Sequence, residues 1–165
     1  MNLIFDLKRH VYSIFIFINK SSRKRKESSI VMVDQANVAQ DVKDAFAKVT
    51  HKDYRWVIAK VNGSSVELVK FGERSSTLAE LVAELGDSPC YIVYDFEATR
   101  DDSSTLCKTC FICYAPDTCT VMAEKFALQN FKASTMACIN QHKEMQINDK
   151  ADLTESEFRD QFGMN

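Results

Sequence analysis

A chain of 165 residues is long enough for one domain with a buried core and too short for two full ones. With 45% hydrophobic and 27% charged residues, and only 4 Gly and 2 Pro, it excludes a disordered chain, a collagen-like repeat and a low-complexity array. Its net charge of −2 is unevenly divided: residues 32–165 hold 14 basic and 21 acidic side chains, a net −7, which argues against sequence-independent binding to nucleic-acid phosphates.

Residues 1–31 read as a basic N-terminal extension and 32–165 as the domain. The extension carries Lys8, Arg9, Lys20, Arg23, Lys24, Arg25 and Lys26 against Asp6 and Glu27. Its apolar run Val11–Ile18 imitates a signal-peptide core but is too short to span a bilayer. The polar, basic stretch that follows has no small-residue cleavage pattern. The block Arg23-Lys24-Arg25-Lys26 has the composition of a nuclear-import signal or an anionic-membrane contact, and equally that of a disordered, solvated linker. Because Met32 opens the part that looks like a domain, three readings of 1–31 stand: an upstream extension, a start assigned too early, or a targeting segment.

In chain order, Val38, Val42, Ala45, Phe46 and Val49 recur at helical spacing, with Asp34 placed to favour the helix N-terminus. Tyr54–Val61 and Ser65–Phe71 are β-branched or aromatic runs around Asn62-Gly63, a strong hairpin signal. Leu78, Leu81, Val82 and Leu85 predict a short helix over 77–85 that stops at Gly86. Cys90–Phe96 and Leu106–Tyr114 read as strands separated by the polar loop Glu97–Thr105. The second is apolar almost throughout, so helices are expected on both faces of the sheet. A long helix is expected from about Val121 to Asn140, broken near 130–134, then a strand over His142–Ile147. Thr154-Glu155-Ser156-Glu157 matches a capping box for a last helix, with Leu153 and Phe158 as its apolar contacts.

The six cysteines, Cys90, Cys107, Cys110, Cys113, Cys119 and Cys138, all lie in the second half, most in predicted buried elements. A chain of this size needs no disulfide framework. Cys107–Cys110 and Cys110–Cys113 have CxxC spacing, but side chains three apart on a strand point to opposite faces and cannot share a Zn²⁺. The cysteines therefore read as buried core thiols. A redox CxxC would sit at a helix N-terminus, not mid-strand. No motif relates His10, His51 or His142 to a nucleophile, and no Gly-rich phosphate loop occurs. The chain thus reads as a binding module without cofactor or metal, not an enzyme.

The order of elements and several local signatures together resemble the actin-depolymerising factor and cofilin family over roughly residues 32–162. The signatures are Phe46 closing the first helix; Val66–Lys70 leading to Phe71-Gly72-Glu73; Cys90–Phe96; Lys108–Ala115 with Pro116-Asp117-Thr118; Lys125-Phe126 and Lys132; and Glu144-Met145-Gln146 with Asp149. The resemblance implies an α/β fold of the α+β type, with one mixed sheet of about five strands sandwiched between helices. It further implies binding to actin monomers and filament sides, with filament disassembly driven by differential affinity for filament geometries. Carried over position by position, the implied contacts are Lys125, Phe126 and Lys132 on the long helix, Asp149 and Asp152 after the last strand, and Lys108 on the sheet. For Phe126 the competing reading is core packing, and for the lysines a generic solvated charge.

Asp34 stands where the family carries an inhibitory phospho-serine, giving a fixed negative charge in place of regulation. Ala123 stands where a second basic contact is usual, and Leu106 and Gln161 replace basic residues of the filament-side surface, so monomer binding is expected to survive better than filament-side binding. The ending from Asp152 to Gly163 also resembles glia maturation factor, which implies binding to the branch-nucleating actin-related complex and debranching. The resemblance further implies a monomer on the cytoplasmic actin cytoskeleton, with nuclear entry left open, and a phosphoinositide contact that the acidic body weakens. A small zinc or redox protein built on the cysteines is the alternative from another class.

Overall fold

A computed structural model describes residues 37–100, 103–140 and 142–164. The elements are α1 (Gln40–Thr50), β1 (Tyr54–Asn62), β2 (Ser65–Glu73), α2 (Leu78–Glu84), β3 (Cys90–Thr99), β4 (Thr105–Tyr114), α3 (Met122–Met136), β5 (Lys143–Ile147), a 3₁₀ turn (Lys150–Asp152) and α4 (Glu155–Gln161). The five strands form one sheet in the order β2-β1-β3-β4-β5. Neighbours run antiparallel except β4 and β5, which the α3 crossover makes parallel. The expected fold class, a single mixed five-stranded sheet between helices, is what the chain adopts.

Strand alternation divides the core in two. On one face Trp56, Ile58, Cys90, Ile92, Tyr94, Phe96, Cys110, Ile112 and Tyr114 meet Leu81 and Leu85 of the α2 segment and Phe158 of α4. On the other, Val57, Ala59, Tyr91, Val93, Phe111 and Cys113 meet Val42, Phe46 and Val49 of α1 and Leu128 of α3. Cys110 and Cys113 therefore lie in different cores, as strand geometry requires.

Several boundaries depart from expectation for identifiable reasons. Helix α1 begins at Gln40, because Val38 instead forms a parallel bridge to Val66. There Val66 N–H donates to the Asn37 carbonyl (2.8 Å) and Ala39 N–H to the Val66 carbonyl (3.0 Å). Asp34 lies outside the described residues, as does the extension 1–31. Helix α2 stops because Leu85 turns extended and buries its side chain; Gly86 is not in the left-handed region. Its start is a complete capping box, Thr77 with Glu80, that the hydrophobic pattern alone does not reveal. Strands β3 and β4 continue to Thr99 and from Thr105, so both ends of the expected loop are a paired ribbon. Helix α3 runs unbroken through 130–134; the Ser134 and Thr135 hydroxyls are satisfied within it by donating to the Phe131 carbonyl (3.0 and 2.7 Å), and Thr135 packs into the core.

Two glycines have structural reasons. Gly63 takes φ +59° in the β1–β2 turn. Gly72 lies against the Trp56 indole, where an added Cβ would fall 2.3 Å from Trp56 Cε2. Gly72→Ala is therefore expected to destabilise the fold by about 1–3 kcal/mol through overpacking, read as a lowered denaturation midpoint.

Candidate functional site

Helix α3 is built from good helix formers at its start (Ala123, Glu124, Lys125, Ala127, Leu128), with Glu124 in the first turn matching the helix dipole. One stripe faces the sheet: Leu128 and Thr135 are buried, and the Leu128 carbonyl accepts a hydrogen bond from the Tyr91 hydroxyl. The opposite stripe, Met122, Phe126, Gln129, Asn130 and Ala133, is exposed at helical spacing. Met122 is 57% exposed, Phe126 63%, and the preceding Val121 48%. Three large apolar side chains thus stand in water at one end of a helix anchored along its other face.

The predicted contact residues are distributed over two places. Lys125 is half-buried beside Phe126. Phe126 points outward, not into the core. Lys132 is turned to the sheet edge, where its ammonium pairs with Glu144 of β5 and its side chain keeps only 22% exposure. Asp149 and Asp152 are both exposed at the 3₁₀ turn after β5, Asp152 within it and Asp149 capping it, its carboxylate accepting the Ala151 N–H (2.9 Å). That turn shares an end of the sheet with the start of α3, because Ala115 N–H donates to the Ile147 carbonyl (3.0 Å) and Asp117 N–H to the Asn148 carbonyl (3.1 Å). Lys108 is exposed but lies six residues back along β4 from Tyr114, about 20 Å at strand rise. Leu106, expected on the surface, is buried, opposite Ala98 of the α4-side core.

All six cysteines are free thiols. Burial pushes Cys90 and Cys110 up to about 12, the opposite of a reactive thiolate. Cys107 departs from the core-thiol expectation: it is exposed, on the β4 strand of the ribbon, with Sγ 3.7 Å from Glu97 Oε1. Among the described residues no three His, Cys, Asp or Glu side chains are grouped to hold a metal ion.

Sequence reasoning also missed an ion cluster on β3. Asp95 is 2% exposed, and its Oδ2 receives Lys52 Nζ (3.2 Å) and the Arg74 guanidinium. Glu97 receives Lys52 (2.9 Å), Arg55 (3.2 Å) and Arg74. The hydrogen bond from Lys52, with the charges of Arg74 and Arg55, holds the Glu97 carboxyl down at about 2 despite partial burial. No local pattern signals this cluster, since its members lie 43 positions apart between Lys52 and Asp95.

A model of the cofilin/tropomyosin-type actin-binding protein family matches residues 35–163. The chain belongs to this family. It is 30% identical over 76 residues to actin-depolymerizing factor 8 of Arabidopsis thaliana, a match covering 44% of this chain and 54% of that protein. It is 27% identical over 120 residues to the actin-depolymerizing factor of Vitis vinifera, covering 70% and 84%. The chain spans about half the length of the Arabidopsis relatives it matches, 54% and 52%. Among solved structures, cofilin from Streptomyces griseoflavus superposes with a TM-score of 0.66 at 18% identity, over 75% of this chain and 96% of that one. Coactosin from Entamoeba histolytica does so at 0.66 and 19%, over 77% and 94%. At such identities the structural likeness is one of fold. For the cofilin-type domain it means that the five-stranded sheet and its helices are shared, while the surface side chains are this chain's own.

Two outcomes follow from these environments. Phe126→Ala should leave the unfolding free energy within about 0.5 kcal/mol of the parent, whereas Leu128→Ala, two positions along the same helix, should cost about 2–5 kcal/mol in urea titrations. Glu97 carries a depressed pKa, so its stabilisation is complete above its usual 4.5 and lost as pH falls towards about 2. Glu97→Gln should flatten stability against pH across that window.

Proposed function

We propose that this cofilin-type domain is a non-catalytic actin-binding protein that promotes filament disassembly, engaging actin through the exposed stripe at the start of α3. The observation that carries the reading is that Val121, Met122 and Phe126 are exposed together at the start of a helix whose far side is anchored in the core. Apolar anchors ringed by polar groups are what a binding hot spot requires. Lys125 supplies a positive charge beside them, and Asp149 and Asp152 flank the same end of the sheet. Lys132 contributes less charge than its position on the helix suggests, because Glu144 already neutralises it. Binding at α3 should therefore depend weakly on salt.

We assign this activity to residues 32–165, with 1–31 as a separate extension, and read the protein as a monomer acting on the cytoplasmic actin cytoskeleton. Nuclear entry through Arg23–Lys26 and a weak phosphoinositide contact belong to the same reading. Lys108 is the basic group assigned to the filament side, while Leu106 is buried and Gln161 uncharged where further basic groups are usual, so monomers should bind more tightly than filaments.

The test is fluorescence titration with actin monomers alongside filament cosedimentation, with released monomer assayed in the supernatant. Met122→Ala/Phe126→Ala should weaken monomer binding by about tenfold or more, the effect of losing ~1.4 kcal/mol, at unchanged thermal stability. Wild-type affinity in that variant removes α3 as the binding face. A pull-down that retains the branch-nucleating actin-related complex and not actin replaces the reading with debranching.

A further inference from the structure

Strands β3 and β4 pair along their whole length, from Cys90↔Tyr114 to Thr99↔Thr105. Their neighbours do not follow them. Pairing with β1 covers β3 only from Tyr91 to Tyr94, and β5 covers β4 only from Cys110 onward. The ribbon 95–99/105–109 therefore projects without a flanking strand on either side. A two-stranded ribbon has little stability of its own in water, so something else must hold it.

Two devices do so, one on each face. On the α4 face, Phe96 is buried and its ring stacks with Phe158 and Phe162 at centroid distances of 5.2 and 5.6 Å. Lys108 is the cross-strand partner of Phe96 and shares that face. On the other face, Asp95 and Glu97 are gripped by three cations, none of which belongs to the ribbon. Lys52 comes from the turn after α1, held there at φ +69°, and contacts both carboxylates. Arg55, at the start of β1, also donates from Nη1 to the Asp95 carbonyl (3.1 Å). Arg74, just beyond β2, spans the two carboxylates with Nη1 on Asp95 and Nη2 on Glu97, and its own carbonyl accepts Arg55 Nε (3.4 Å). Planar, two-point recognition of this kind sets orientation as well as energy.

We infer that Arg74, with Lys52 and Arg55, is a positioning residue for a second binding element: acting through Asp95 and Glu97, it holds the Lys108-bearing ribbon in place against the side of a filament. This rests on the proposed actin-binding reading and adds that the ribbon is set independently of α3, whose anchors are Tyr91 and the α1-side core. Filament-side contact is thus separable from monomer binding by substitutions far from both binding residues in sequence.

The experiment uses the full chain with Arg74→Met, Arg74→Lys, Lys108→Met and the Arg74→Met/Lys108→Met pair. Monomer affinity, filament cosedimentation and amide hydrogen exchange are measured for each. Arg74→Met should weaken filament binding about tenfold and leave monomer affinity within about twofold, with Arg74→Lys recovering part of the loss. Exchange should rise in residues 95–109 and stay unchanged in α3. The paired variant should lose less than the product of the two single losses, as expected when one residue acts through the other. Wild-type filament binding by Arg74→Met, equal loss towards monomers and filaments, or strictly multiplicative losses would each overturn the inference. A parent chain that binds monomers but not filaments, or neither, overturns the filament role. Monomer affinity and exchange then separate the failures: loss of binding to monomers as well faults the actin reading, monomer binding with raised exchange in the Arg74→Met ribbon faults the filament role alone, and unchanged exchange faults the positioning itself.

Discussion

Strands β3 and β4 bury side chains on both faces, and this obliges the chain to supply a cover for each side. The covers come from different stretches of sequence: α1 and α3 on one side, α2 and α4 on the other. Where β1 and β5 flank them, along Tyr91–Tyr94 and Cys110–Tyr114, β3 and β4 form the centre of the sheet against which both cores pack. The location of every surface discussed above follows from that arrangement. Helix α3 must lie against the sheet to cover Phe111 and Tyr91, which leaves its outer stripe in water.

That outer stripe shows how one helix serves stability and recognition together. Leu128 and Thr135 are committed inward, so the helix itself sets the direction of Met122 and Phe126, which stand largely exposed on the other side of the same cylinder. The interaction energy available to a partner is then not spent on ordering the helix. Lys132 illustrates the opposite case. On the helical pattern it belongs with Lys125, but β5 brings Glu144 within ion-pair reach and removes it from the free positive charge of the face.

The ion cluster on β3 is of another kind. Asp95 is a nearly inaccessible carboxylate, a costly group unless paired and hydrogen-bonded. Lys52 and Arg74 meet that requirement, and in doing so they tie the turn after α1 and the end of β2 to a ribbon that no neighbouring strand supports. The aromatic stack of Phe96 with Phe158 and Phe162 secures the other face, so the ribbon is held by apolar contact on one side and charge on the other.

The type and order of the elements and the two-faced character of the sheet are legible in the residues alone. Those properties are local: helical spacing in Val42–Val49, the Asn62-Gly63 turn, and an apolar run through Phe111–Tyr114 are written in neighbouring residues. The sequence also shows that cysteines three apart on β4 could not share a ligand, because alternation along a strand is local as well. The folded molecule alone reveals that Val38 bridges to Val66, that α3 continues through Ser134, that Lys132 is neutralised, and that Lys52, Arg55 and Arg74 converge on Asp95 and Glu97. Each of these depends on two segments distant in the chain meeting in space, a distance that periodicity and propensity do not measure.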